Sequence, residues 1–204
     1  MDRIELIKSL LPEYPKGTGV EVGTFKGQFS KEIMQVWDGT LFLVDVWREL
    51  GSEYNDASNN ANFEGGVYGE CINNIRGYED RAIMIRASSE IASNFFEDES
   101  LDFVYIDANH AYEFVKQDIQ LWFPKVKKGG IVMGHDYLKI DWSIPPFADN
   151  GIDKHIWLNG GEGDEYNVYA GVFGVNPAVN EFCIQNSYQP SFTDEWLGTW
   201  YFKK

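Results

Sequence analysis

The sequence predicts a doubly wound α/β fold, a mainly parallel sheet with helices on both faces, in one domain over residues 1–204. Three observations carry that expectation. From Thr18 onward, short β-rich runs alternate with amphipathic helical stretches, and such alternation builds a parallel sheet through helical crossovers. The β-rich runs are apolar on consecutive residues, as in Leu41 to Val44 and Phe103 to Ile106, the pattern of strands covered on both faces. The helical stretches are one-sided, with Val115, Ile119, Trp122 and Val126 at steps of three or four.

Taken in order, Ile4, Ile7 and Leu11 recur at helical spacing in an opening helix that Pro12 and Pro15 end. A strand at GVEVGT leads into a helix over Phe29 to Trp37, and LFLVDVW into a helix over Tyr68 to Arg76. AIMIRAS precedes a helix over Glu90 to Phe96, LDFVYIDA precedes a helix from Tyr112 to Phe123, and GGIVMGHDY is the fifth strand. After Tyr137 the alternation stops. Residues 48–67 and 138–167 read as insertions overhanging the strand ends, the second rich in Pro, Gly, Asn and acids. Strand-like VYAGVFGV follows, then FCIQN, then an aromatic tail with Phe192, Trp196, Trp200, Tyr201 and Phe202, whose strands are expected to finish the same sheet.

Composition narrows the function. With 44% hydrophobic and 24% charged residues, 204 residues can build an apolar core with no disulfide or metal staple. The 32 acids against 17 basic residues leave a net charge of −15, which argues against nucleic acid and anionic membranes as partners and favours a small or cationic ligand. Most of that acidity is expected to serve solubility. Cys71 and Cys183 belong to no disulfide or zinc pattern, and the acids within MDRIELIKSLLPEYP interrupt any signal-peptide run, so a cytoplasmic setting is expected. Association into a homo-oligomer is left open.

In sheets of this kind ligands bind beyond the carboxyl ends of the strands, near the switch in strand order. Gly23 and Gly27 bracket a tight turn, Thr24 to Gly27, where a ligand can lie against backbone amides. The spacing is not the GxGxxG of dinucleotide binding, and Glu21 would repel a pyrophosphate, so a cationic or neutral ligand fits better. Asp45 ends the second strand, where a carboxylate can accept from both hydroxyls of a ribose, and Trp47 beside it can stack on a base or serve the core. Ala87 and Ser88 end the third strand.

With these residues in place the chain resembles the class I S-adenosylmethionine-dependent methyltransferases, nearest a bacterial and phage subgroup related to sugar and natural-product O-methyltransferases. The resemblance rests on VEVGTFKGQFS, VDVW and LDFVYIDANHAYEFVKQDIQLWFPKVKKGGIVMGHDY in that order. It implies a Rossmann-like, mainly parallel seven-stranded sheet with S-adenosyl-L-methionine as cofactor. Glu21 and Gly23 would line its methionine end, Asp45 would hold the ribose, Ala87 with Ser88 would border the adenine, and Asp107 would begin the reaction side; Thr24, Gly27 and Trp47 are read with them as cofactor-binding.

Two of the three histidines, His110 and His135, fall beside carboxylates at adjacent strand ends, and an imidazole there can take a hydroxyl proton as a methyl group arrives. His110 is read as that base, with Asp107 beside it. Catechol-type O-methyltransferases keep a metal at these strand ends. The matching residues here are Asp107, His135 and Asp136, which leaves a divalent ion open; an imidazole ligand favours manganese, iron or zinc over magnesium. Asp118 is read as a solvated residue on the outer face of its helix. Tyr54, Trp142, Pro145, Phe147 and Trp157 in the insertions point to a small-molecule acceptor, a sugar or hydroxylated natural product. Two other classes stay open: a non-catalytic cofactor-binding or interaction module, and a nucleotide-using α/β enzyme.

Overall fold

The computed structural model describes residues 1–48, 66–138, 174–195 and 197–204. Both insertions, apart from their outermost residues, lie outside that set, as do Tyr54, Trp142, Pro145, Phe147, Trp157, Trp196 and most of VYAGVFGV.

The chain opens with α1 (Arg3–Leu10), closed at its start by a capping box in which Asp2 accepts from the Glu5 amide and Glu5 accepts from the Asp2 amide. Then come β1 (Thr18–Val22), α2 (Gln28–Val36), β2 (Thr40–Asp45), α3 (Val67–Asn74), β3 (Ala82–Arg86), α4 (Ser89–Ser93), β4 (Leu101–Ile106), α5 (Tyr112–Trp122) and β5 (Val126–Tyr137). The ending is α6 (Val175–Asn186), β6 (Ser191–Phe192) and β7 (Gly198–Lys203). FCIQN is therefore helical: it forms the last part of α6, where Val175, Ala178, Val179 and Cys183 recur at helical steps on the buried face.

The seven strands form one sheet in the order β3-β2-β1-β4-β5-β7-β6. The first five are parallel, and β7 runs antiparallel to both β5 and β6. Strand alternation sorts the core into two layers. Val20, Val22, Val104, Ile106 and Val132 meet Val115, Ile119 and Trp122 of α5 and Val179 and Cys183 of α6. Leu41, Leu43, Phe103, Tyr105 and Met133 meet Ile7 of α1, Phe29, Ile33 and Met34 of α2, and Cys71 of α3. Strand order reverses between β1 and β4, which stay paired to their carboxyl ends, and the cleft opens beyond those ends at Gly23 and Asp107. Among the described residues no helix is long and apolar enough to cross a membrane.

Candidate active site

The cleft has a volume of about 580 Å³, and its walls come from the ends of β1, β2, β3 and β4. At its floor Glu21 is 2% exposed, because strand alternation turns it toward α2, where its carboxylate accepts from the Ser30 hydroxyl. Burial pushes the Glu21 carboxyl up to about 8; the Ser30 hydrogen bond opposes that rise and the Asp107 charge adds to it.

The turn after Glu21 is shaped by contact. Gly23 has φ +90°, and a Cβ there would lie 2.0 Å from the Asp107 carbonyl oxygen. Gly27, at φ +70° before α2, would press a Cβ to 2.8 Å from Cys71 Sγ. Thr24 is buried, and its amide donates to the Val44 carbonyl at 3.3 Å. Asp45 holds this turn to β2: Oδ2 accepts from the Phe25 amide and Oδ1 from the Trp47 amide, each at 2.8 Å. Trp47 is a core residue, 1% exposed, whose indole N–H donates to the Phe25 carbonyl at 2.7 Å, so its ring is committed to packing rather than to a base. Phe25, Trp47 and Asp136 all have φ between 40° and 59°, so left-handed backbone gathers at the ends of β1, β2 and β5.

After β3, Ala87 and Ser88 line the cleft, and Ser88 also caps α4 by accepting from the Ile91 amide at 3.4 Å. Asp118 corrects the sequence expectation. It is 5% exposed, lines the cleft, and accepts from the Ser89 hydroxyl. Burial pushes its carboxyl up to about 7 against that hydrogen bond. The signal was present in the spacing, since position 118 lies three residues after Val115 and four before Trp122 and shares their stripe.

On the reaction side, β4 delivers Asp107 and the following turn delivers His110. Asn109 shapes that turn by accepting from the Ala111 amide at 2.8 Å. His110 Nε2 lies 2.6 Å from Asp136 Oδ2 and 3.7 Å from Asp107 Oδ1. His135 Nδ1 lies 3.3 Å from the other Asp136 oxygen. Burial would raise the Asp136 carboxyl, but hydrogen bonds and charge from both imidazoles outweigh it and hold the acid well below the usual carboxylate range. Burial opposes protonation of His135, yet Asp136 and Asp107 together raise it above its ordinary 6.5. Of the three expected metal donors, Asp107 and Asp136 come together with His110, their ligand atoms within 4.8 Å of one another. His135 stands outside that group as a partner of Asp136. Sequence reasoning also passed over Arg3, which lines the cleft from α1 with its guanidinium 4.3 Å above the Phe29 ring.

The sheet order, the reversed last strands and the strand-end cleft define a Rossmann-like methyltransferase fold of class I. A family model described as a methyltransferase domain matches residues 20–137, more than half of the chain, and the chain belongs to that family, for which S-adenosylmethionine is the expected methyl donor. An uncharacterized protein of Acanthamoeba polyphaga mimivirus is 30% identical over 127 residues, covering 62% of this chain and 54% of that protein. One from Sinorhizobium fredii is 30% identical over 96 residues, covering 47% of this chain and 10% of that protein. The chain thus spans about half the length of the first relative and far less of the second.

A Staphylococcus aureus structure assigned as a caffeoyl-CoA O-methyltransferase superposes with TM-score 0.65 at 19% identity, covering 100% of this chain and 85% of that one. A Clostridium thermocellum structure assigned as an rRNA methylase gives 0.61 at 12% identity, covering 100% and 98%. An O-methyltransferase family protein from Burkholderia thailandensis gives 0.63 at 11% identity, covering 98% and 54%. At these identities the likeness is one of fold. Assignments as different as the first two share it, so the fold does not choose the acceptor.

Proposed function

We propose that this chain transfers the methyl group of S-adenosylmethionine to a hydroxyl of a small acceptor, a sugar or hydroxylated natural product, with His110 as general base. The observation that carries the reading is the 2.6 Å approach of His110 Nε2 to Asp136 Oδ2 in a group that includes Asp107. An alcohol or phenol must lose its proton as the carbon–oxygen bond forms, and an imidazole backed by a carboxylate is suited to accept it. In the tautomer that keeps its proton on Nε2, beside Asp136, Nδ1 carries the lone pair. The cofactor's cationic end suits Glu21, whose carboxyl would ionise beside an ammonium or sulfonium. In-line displacement needs no covalent help from the protein, so rate would come from positioning and exclusion of water. The net charge of −15 supports a small acceptor rather than nucleic acid or a membrane surface.

The test is turnover of isotopically labelled S-adenosylmethionine against a panel of hydroxylated sugars and phenols. His110→Ala is expected to lose about 10²- to 10⁴-fold in rate while binding S-adenosylhomocysteine normally. Undiminished turnover on an acceptor methylated by the wild type removes His110 from the mechanism.

A second reading is favoured by the same cluster. One imidazole and two carboxylates, with ligand atoms within 4.8 Å, fit a divalent ion such as manganese, iron or magnesium. Asp107, His110 and Asp136 would hold it, and a bound ion would polarise the acceptor hydroxyl. His110 is then a ligand and not the base. Dialysis against a chelator separates the two: unchanged turnover supports the base, and loss restored by manganese supports the ion.

A further inference from the structure

Asp118 is a buried acid that the chemistry above does not use. It lies on α5 in a stripe otherwise made of Val115, Ile119 and Trp122, and burial of a carboxyl among apolar neighbours is costly without full hydrogen bonding. Its partners run in one direction. The Trp122 indole N–H donates to Ser89 Oγ at 2.8 Å, and the Ser89 hydroxyl donates to Asp118 Oδ1. That relay fixes the carboxyl's orientation and engages one of its oxygens; Oδ2 has no hydrogen-bond partner among the described residues. Asp118 lines the cleft together with Ala87, Ser88 and Ser89, which follow β3, and the sheet order sets β2 with Asp45 between β3 and the strand that carries Glu21.

What a fixed acceptor oxygen on the wall of the cleft lacks is a donor arriving from the cleft. The adenine base carries one, its exocyclic amine. We propose that Asp118 accepts from that amine and so selects an adenosyl donor over its deaminated counterpart. The proposal rests on S-adenosylmethionine being the ligand. A hypoxanthine base would present a carbonyl oxygen to Asp118 in place of the amine, and two acceptors facing each other in a buried site are strongly disfavoured.

The experiment is calorimetric titration of the full chain at about pH 8.5, where Asp118 is ionised and can only accept, with S-adenosylhomocysteine and with S-inosylhomocysteine, for the wild type, Asp118→Asn and Ser89→Ala. The wild type is expected to prefer the adenosyl ligand by at least about tenfold. In Asp118→Asn the carboxamide can offer either an oxygen or an amine, and the preference is expected to fall within about threefold. Equal affinities in the wild type, or an Asn variant that keeps the wild-type preference, overturn the role of Asp118 alone. Should the Asn variant not fold, Ser89→Ala, which frees the carboxyl from its relay, is expected to show a reduced preference, and an unchanged one overturns the proposal. A wild type that binds neither ligand overturns both this role and the donor assignment beneath it.

Discussion

Glu21→Gln is the sharpest probe of how the cleft floor is built. Glu21 titrates near its ordinary 4.5 in the unfolded chain and near 8 when buried in the fold, so between those values the folded state holds a proton that the unfolded state has released. Stability therefore falls as pH rises across that window. Each unit is worth about 1.4 kcal/mol, so from pH 5 to pH 7.5 the wild type is expected to lose about 3 kcal/mol through Glu21 alone. The amide is isosteric, can still accept from Ser30 and does not titrate. Asp118, raised to about 7, contributes a loss of the same sign in both proteins and cancels in the comparison. Urea unfolding of both proteins at the two pH values measures the difference directly, and the gap between them should move by about 3 kcal/mol in favour of the variant. Parallel pH profiles would refute the claim that Glu21 is neutral in the empty protein. The same linkage predicts that wild-type affinity for S-adenosylhomocysteine, whose ammonium would draw the proton off Glu21, rises with pH up to about 8. In Glu21→Gln that affinity is weaker and its rise with pH smaller.

Three further outcomes follow from the geometry. Gly23→Ala places a methyl 2.0 Å from the Asp107 carbonyl at a left-handed φ, so thermal melts should show a destabilised protein and calorimetry a loss of cofactor binding. Trp47→Phe removes the indole N–H that satisfies the Phe25 carbonyl, with an expected cost of about 1–3 kcal/mol in urea melts; a large loss of adenosyl affinity in a stably folded variant would instead restore Trp47 as a stacking residue. Asp136→Asn takes away the carboxylate shared by His110 and His135, and steady-state turnover should fall about 100-fold or more while cofactor affinity is kept.

Much of this arrangement was legible in the sequence because a parallel sheet writes a strong pattern. Consecutive apolar residues marked β2 and β4, the stripe from Val115 to Val126 marked α5, and the polar residue ending each strand marked the cleft. Legibility failed where tertiary contact decides. FCIQN has an apolar content that fits either state, and only its continuity with Val175 and Val179 makes it a helix. Trp47 stands beside Asp45, but a left-handed backbone of φ 40° and a bond to Phe25 turn it into the core. His110, not His135, completes the group with Asp107 and Asp136, while His135 pairs with Asp136 from the same strand. Asp118 was misplaced for a different reason: its spacing was read as outward, although three residues after Val115 and four before Trp122 puts it on their buried stripe.

The measurement that tests the central claim most directly is calorimetric titration of the wild-type chain with S-adenosylmethionine, S-adenosylhomocysteine, NAD and ATP at one pH. The expected result is one-to-one binding of the first two and none of the last two. Binding of a nucleotide in their place, or of none of the four, would contradict the account.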